Sequence, residues 1–345
     1  MKEVEKTLNC YGHNNGCFVF YCKHCDEYIF QHYGCNSRLC SCCGKRYTDQ
    51  WALRLSKSMF PVPHRHIVIS VPDVLWSFLK EDRKRWKDYM DSAIELCDDY
   101  FSKIMNGCIK VGVIVVLHPF GKDMKFQPHL HLLITEGGFD KSGQFRNMSF
   151  IPADGFRKSW QYHVLQKLQS VGLSNEIATY CYHKYPKGFY AWVHKNGRIR
   201  HPRVIALYLG RYVRHPAIAN SRIDWFDKEN KLVGFHYEDH NKIRRDIIMG
   251  AEQFISAVVQ HIPPPQFKMI RYYGAYARRS KSKYGVKVQS SIKQLTLLKF
   301  GFIKPILCPR CCKPLEFVAY CKKPPPPDKQ KLDYWIKSAS WVAGN

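Results

Sequence analysis

Eight of the fifteen cysteines lie in the first 43 residues, a stretch with too few aliphatic side chains to build a core of its own. Such a segment folds by being stapled, through disulfides or through a metal. Disulfide scaffolds belong to short secreted chains, whereas this sequence runs to 345 residues. Its start, Met1-Lys2-Glu3-Val4-Glu5-Lys6, lacks an apolar signal core, and its longest aliphatic run, near Val111 to Leu117, is too short to cross a bilayer. The expectation is a soluble intracellular protein with reduced thiols, in which Cys-x-x-Cys pairs bind zinc. Cys22-Lys23-His24-Cys25 and Cys40-Ser41-Cys42-Cys43 are two such knuckles, and the fourteen residues between them let four thiolates surround one tetrahedral Zn²⁺. Cys35 is the alternate ligand; His24, His32 and Cys42 are spare donors, and Cys10, His13 and Cys17 can complete a second site. Residues 1–50 therefore read as a small zinc-binding module, presenting Arg38, Lys45 and Arg46 at its surface.

Lys and Arg number 54 against 28 Asp and Glu, a formal charge of +26. That excess exceeds what solubility needs and calls for a polyanion. The basic residues are interleaved with Tyr, Trp and Phe rather than gathered on an amphipathic helix, a pattern that suits phosphates and stacked bases and argues against a membrane surface.

Beyond residue 50 the pattern changes. His66 to Val71 reads as a strand, and Pro72-Asp73 starts a helical pattern that continues to about Ile104. Two apolar strands follow, Ile109 to His118 and His129 to Thr135, turned by Pro119 to Asp123 and ended by Gly137-Gly138, so an antiparallel pair is expected. Residues 156–170 have helical spacing, and Gly188 to His194 reads as a strand before an Asn196-Gly197 turn. Pro202 opens a helix, Arg222 to Phe226 and Leu232 to Tyr237 form a hairpin, and Ala251 to Ile262 a helix stopped by Pro263-Pro264-Pro265. From about residue 278 the chain is basic and looser, with cysteines at 308, 311, 312 and 321 and a proline run from Pro324 to Pro327.

His129-Leu130-His131 places two imidazoles on one face of a strand, where they can grip one metal ion. An open catalytic site wants a third protein ligand, and His118, at the end of the neighbouring strand, is the candidate. Mg²⁺ or Mn²⁺ suits the work of polarising a phosphodiester better than a closed zinc site. Tyr208 and Tyr212, four apart, share a face of the helix opened by Pro202, with Arg211 and Arg214 near enough to meet phosphate. A phenol is a competent nucleophile, although aromatics at this spacing are most often core packing.

These features together resemble the IS91-type transposases of the HUH endonuclease superfamily. The likeness rests on Leu117-His118-Pro119-Phe120-Gly121 followed by Pro128-His129-Leu130-His131, on Tyr208-Leu209-Gly210-Arg211-Tyr212 running into Ala217 to Arg222, on His261-Ile262-Pro263 with Ile270 to Gly274, and on the cysteine module. It covers residues of about 20 to 280. The resemblance implies an α+β fold in which an antiparallel sheet carries the metal histidines on a central strand, flanked by helices, with the zinc module preceding it. It implies an enzyme domain over residues 60–280 and a basic C-terminal region over 281–345. The chemistry implied is metal-dependent cleavage and rejoining of single-stranded DNA at element ends and target, through a 5′-phosphotyrosine and a free 3′ hydroxyl. Tyr208 and Tyr212 would alternate as nucleophiles in rolling-circle-like transposition, in the cytoplasm or nucleoid of a prokaryote. Arg203, Arg211, Arg214 and Arg271 are the candidate DNA contacts. Two departures stand out. The family's Cys-Pro-x-Cys ending is Cys40-Ser41-Cys42-Cys43 here, so the ligand set stays open. Cys308 and Cys311 make half a second zinc site, to be completed by Cys312, Cys321 or an N-terminal residue.

Two other readings compete. A replication initiator or relaxase would use the same chemistry, although no Gly-x-x-x-x-Gly-Lys-Ser/Thr phosphate loop accompanies it. A zinc protein that merely binds nucleic acid would leave His118, His129, His131 and the tyrosines unexplained.

Overall fold

A computed structural model describes residues 2–12, 15–37, 39–105, 107, 109–148, 151–193, 217–239, 241–280, 283–284 and 306–322. The chain begins with α1 (Lys2–Leu8), the hairpin β1 (Cys17–Cys22) and β2 (Glu27–His32), and α2 (Ser41–Ser58). After β3 (His64–Ser70) come a 3-10 turn, α3 (Trp76–Glu81) and α4 (Arg85–Ile104). Strands β4 (Lys110–Phe120), β5 (Phe126–Phe139) and β6 (Phe145–Asn147) lead to α5 (Ala153–Gln169), α6 (Asn175–Lys184) and β7 (Ala191–Val193). A meander of β8 (Ile223–Asp227), β9 (Leu232–Glu238) and β10 (Arg244–Gly250) precedes α7 (Ala251–Gln260), β11 (Ile270–Gly274) and β12 (Glu316–Cys321).

The chain forms two compact units, residues 45–294 and a module made of residues 1–44 with the stretch from 295 onward. In the larger unit the strands run in the order β11-β4-β5-β3-β7, with β6 on β5, and every pairing is antiparallel. From Val111 to Leu117 every residue of β4 is buried. A strand with both sides apolar must be covered on both faces. On one face Ile67, Ile69, Val113, Val115, Leu117, Leu130, Leu132 and Ile134 pack against α4 and α5. Those helices contribute Trp86, Tyr89, Ala93, Leu96 and Tyr100, and Phe156, Trp160, Val164 and Leu168, recurring every three or four residues. On the other face Ile114 and Leu133 meet Trp51, Ala52 and Leu55 of α2, with Phe139 and Tyr276.

Three expectations change in detail. The helical run from Asp73 to Ile104 is broken at Asp82, whose backbone is extended (φ −127°, ψ 107°) and whose carboxylate accepts from the Lys84 N–H at 2.8 Å. An aspartate offering this local bond competes with helix continuation. The first hairpin strand does not stop at His118; it runs through Pro119 to Phe120, with a register shift there that accommodates the proline. The second strand passes through Gly137-Gly138 to Phe139, because Gly137, at φ 135°, lets β6 approach as an extra partner. The Asn196-Gly197 turn, the helix opened by Pro202 and the prolines 324–327 lie outside the described residues.

In the module β1 is the central strand, antiparallel to β2 on one side and to β12 on the other. The cysteines around 308, read from sequence as part of a separate C-terminal region, thus belong to the same unit as the N-terminal cysteines.

Candidate metal centres

Register builds the histidine cluster. On the β4–β5 pair His118 stands directly opposite His129 and Val116 opposite His131, while β3 places Ser70 and Val68 against the same two histidines. Partners opposite one another share a face, so all three imidazoles project from the face of Ile114 and Leu133, beyond the patch that α2 covers. Their potential ligand nitrogens lie within 4.8 Å of one another. His118 Nδ1 and His129 Nε2 are 3.0 Å apart. His129 Nδ1 lies 2.8 Å from the Gln127 carbonyl oxygen, a contact that needs the proton on Nδ1 and leaves Nε2 its lone pair.

His131 is buried at 4% exposure, and its neighbour His66 at 2%. Burial, and next the fields of His129, His118 and His66, holds the His131 imidazole well below its ordinary value. Burial also lowers His129, opposed in part by the Gln127 carbonyl. Both are therefore kept neutral, the form in which imidazole binds metal. The donor set is three imidazole nitrogens on rigid strands with His118 and His129 half-buried, which fits an open divalent site.

Sequence reasoning missed His66. It stands opposite Leu133 on β3, one diagonal step from His131, and its Nε2 is 3.0 Å from His131 Nδ1. The imidazole of a metal ligand is commonly fixed through its second nitrogen in this way. The only sequence signal was that His66 alternates in phase with Val68 and Ser70. Next to it Trp192, on β7 opposite Val68, is 41% exposed, its ring 6.0 Å from that of His66.

Tyr208, Tyr212, Arg203, Arg211 and Arg214 lie outside the described residues, as do His13 and Arg38. Arg271 is described. It pairs with Val115 and so projects from the sheet face opposite the histidines, where its guanidinium is 3.9 Å from the Asp91 carboxylate of α4. That carboxylate also accepts from the Tyr273 hydroxyl at 2.5 Å.

The thiols expected to share one zinc are not brought together. Cys40 and Cys43 cluster with Cys10 and the alternate ligand Cys35, whereas Cys22 and Cys25 cluster with Cys308 and Cys311. In the first set Cys10 Sγ is 3.6 Å from Cys43 Sγ and 3.5 Å from Cys40 Sγ. Pairing Cys22 and Cys25 with the nearest downstream knuckle failed because β2 carries the chain away from that turn, while β12 returns beside β1. Backbone N–H groups of Cys311 and Arg310 favour the Cys308 thiolate and bring it down to about 7. Every described cysteine is a free thiol, and Cys42 and Cys312 are exposed.

No helix among the described residues is long and apolar enough to cross a membrane. Two family models match the chain, one described as "Putative transposase" over residues 112–283 and one as "Transposase zinc-binding domain" over residues 1–71. The "Transposase for insertion sequence element IS801" of Pseudomonas savastanoi pv. phaseolicola is 30% identical over 278 residues, which are 76% of this chain and 66% of that protein. The chain thus spans about two thirds of that relative's length. "Putative transposase y4qJ" of Sinorhizobium fredii is 23% identical over 301 residues, 81% of this chain and 74% of that one. No solved structure matches. The antiparallel sheet with its histidine cluster, the cysteine-rich module and these alignments agree: the chain belongs to the IS91-type transposase family.

Proposed function

We propose that this protein is a DNA transposase of an insertion sequence that cleaves and rejoins single-stranded DNA through a tyrosine. The observation that carries the reading is the convergence of His118, His129 and His131 within 4.8 Å on the face of the sheet that α2 leaves partly uncovered. A Mg²⁺ or Mn²⁺ ion bound there would polarise the scissile phosphodiester. The protein's own part is to keep the His129 and His131 imidazoles neutral by burial, to fix His129 through the Gln127 carbonyl, and to hold His131 against His66. Tyr208 or Tyr212 supplies the nucleophile: its phenol oxygen bonds to phosphorus as the bond from phosphorus to the 3′ oxygen breaks. The phenol proton is given up and the departing 3′ oxygen takes one, leaving a 5′-phosphotyrosine and a free 3′ hydroxyl. The phosphodiester energy is kept in that linkage, so a 3′ hydroxyl can reverse the step without a nucleotide cofactor. Trp192 offers an exposed ring for a base beside the cluster. Arg203, Arg211 and Arg214 would contact the phosphates.

The test is a single-stranded oligonucleotide incubated with the full chain and Mg²⁺ or Mn²⁺. A covalent protein–DNA adduct, mapped by mass spectrometry to residue 208 or 212, is expected, and Tyr208→Phe with Tyr212→Phe should remove it. His129→Ala with His131→Ala should abolish cleavage while keeping most DNA affinity. Full cleavage by the double tyrosine variant, or cleavage indifferent to EDTA, would reject the reading.

A further inference from the structure

We propose that Cys22, Cys25, Cys308 and Cys311 bind a second zinc ion, separate from one held by Cys10, Cys35, Cys40 and Cys43, and that it clasps β12 onto the N-terminal module. The four Sγ atoms lie within 4.8 Å of one another. Cys22 Sγ is 3.6 Å from Cys311 Sγ, and Cys25 Sγ is 4.0 Å from Cys308 Sγ. Four thiolates around a tetrahedral zinc at about 2.3 Å sit about 3.8 Å apart, whereas a disulfide needs about 2.05 Å. The spacing is that of a metal cage.

Both pairs are carried on tight turns of the same kind. Cys22 ends β1, and the turn to β2 contains Asp26 at φ 53°. Cys308 begins a turn in which the Cys312 N–H donates to the Cys308 carbonyl at 2.9 Å and the Cys308 N–H to the Lys313 carbonyl at 2.8 Å, with Cys312 at φ 56°. Each turn thus presents a Cys-x-x-Cys pair toward the other. Around them Lys23 pairs with Glu316 and Arg310 with Glu27, each at 2.6 Å. These contacts are exposed and contribute little by themselves.

The apolar support is small: Cys17, Val19 and Cys321 are the buried cluster here, with Tyr28, Phe30 and Ala319 packed against it. Three strands with so thin a core need a staple. Cys25 and Cys308 are 283 residues apart, and both Cys308 and Cys311 fall outside the two stretches that the family models match. The consequence is topological: the chain leaves this module for the larger unit at residue 45 and returns to it after residue 294, so the ion ties together the two ends of the polypeptide that builds the histidine sheet.

The proposal is tested on the full chain purified without chelator. Elemental analysis should find two zinc ions per chain. Cys308→Ser with Cys311→Ser should leave one, Cys10→Ser with Cys35→Ser should leave one, and Cys312→Ser should leave two. One zinc in the wild-type chain, or two in the Cys308→Ser/Cys311→Ser variant, would overturn it. A second readout needs no variant: alkylation of the zinc-loaded chain followed by peptide mass mapping. The exposed Cys42 and Cys312 should label at once, and Cys22, Cys25, Cys308 and Cys311 only after a chelator is added. Labelling of Cys311 as fast as Cys312, or recovery of Cys22–Cys311 or Cys25–Cys308 disulfide peptides, would overturn it equally.

Discussion

Single residues decide how the histidine cluster behaves, and two of them make separable predictions. His66 touches His131 through Nε2 at 3.0 Å, so its loss frees the His131 ring to reorient. His66→Ala is therefore expected to weaken Mn²⁺ binding by about 10–100-fold. Calorimetric or EPR titration of the full chain reads this directly, and His66→Gln, which keeps a polar contact, should recover part of the affinity. Equal Mn²⁺ affinity in His66→Ala and wild type would remove the positioning role. His64, two residues earlier on the same face, is fully buried with Nε2 2.6 Å from the Tyr276 hydroxyl. Burial pushes it from 6.5 down to about 4. Unfolded chain takes up that proton below about pH 6.5 while the folded protein resists until about pH 4. The unfolded state then binds more protons, so stability falls as pH drops through this window and is complete above it. The slope is up to about 1.4 kcal/mol per pH unit, on the order of 3 kcal/mol in total. Wild type should lose its advantage over His64→Gln progressively between pH 6.5 and 4 in chemical denaturation, and a constant gap would refute this.

At the scale of elements, the β4–β5 hairpin explains what could and could not be read beforehand. Its strands were legible because Val111 to Leu117 and His129 to Thr135 are apolar runs interrupted by a turn, and the His129/His131 alternation fixed which side chains share a face. His118 followed from the hairpin register. Where the strands end was less legible, since glycine marks a break only when no neighbour needs the space. At Gly137 a Cβ would lie 2.0 Å from the Arg146 carbonyl oxygen, and φ is 135°. Gly137→Ala should consequently cost about 2–3 kcal/mol and detach β6, shifting the denaturation midpoint and exposing Met148, whose N–H donates to the Glu136 carbonyl. An unchanged midpoint would show that β6 docks without this glycine. β11 was illegible as a strand for another reason. Only five residues long, it mixes Arg271 with two tyrosines, and its edge position was set by α4 through Asp91 and by pairing with β4.

For the whole molecule the thiol pairing is where local spacing had least to say. Two knuckles fourteen residues apart suggested a shared ion, yet the Cys308–Cys311 turn ahead of the returning β12 supplies a partner 283 residues away for one of them, and no window of sequence contains that return. The two units should answer differently to loss of metal. The larger unit buries α4 and α5 against the sheet through thirty-odd side chains, an apolar mass that stabilises it without help. Among the described residues the module's buried apolar cluster is Cys17, Val19 and Cys321 alone, so metal binding and folding are one event there. Treating the full chain with a strong zinc chelator under reducing conditions should raise amide hydrogen exchange across β1, β2 and β12 by orders of magnitude while β4 and β5 keep their protection. Restoring zinc should reverse the change. Cys308→Ser with Cys311→Ser should expose β12 selectively, because β1 and β2 retain their own antiparallel ladder from Cys17–His32 to Cys22–Glu27. Uniform loss of protection in both units would mean that the sheet unit depends on the zinc module for its fold, and unchanged exchange in β12 would mean that strand pairing alone holds it.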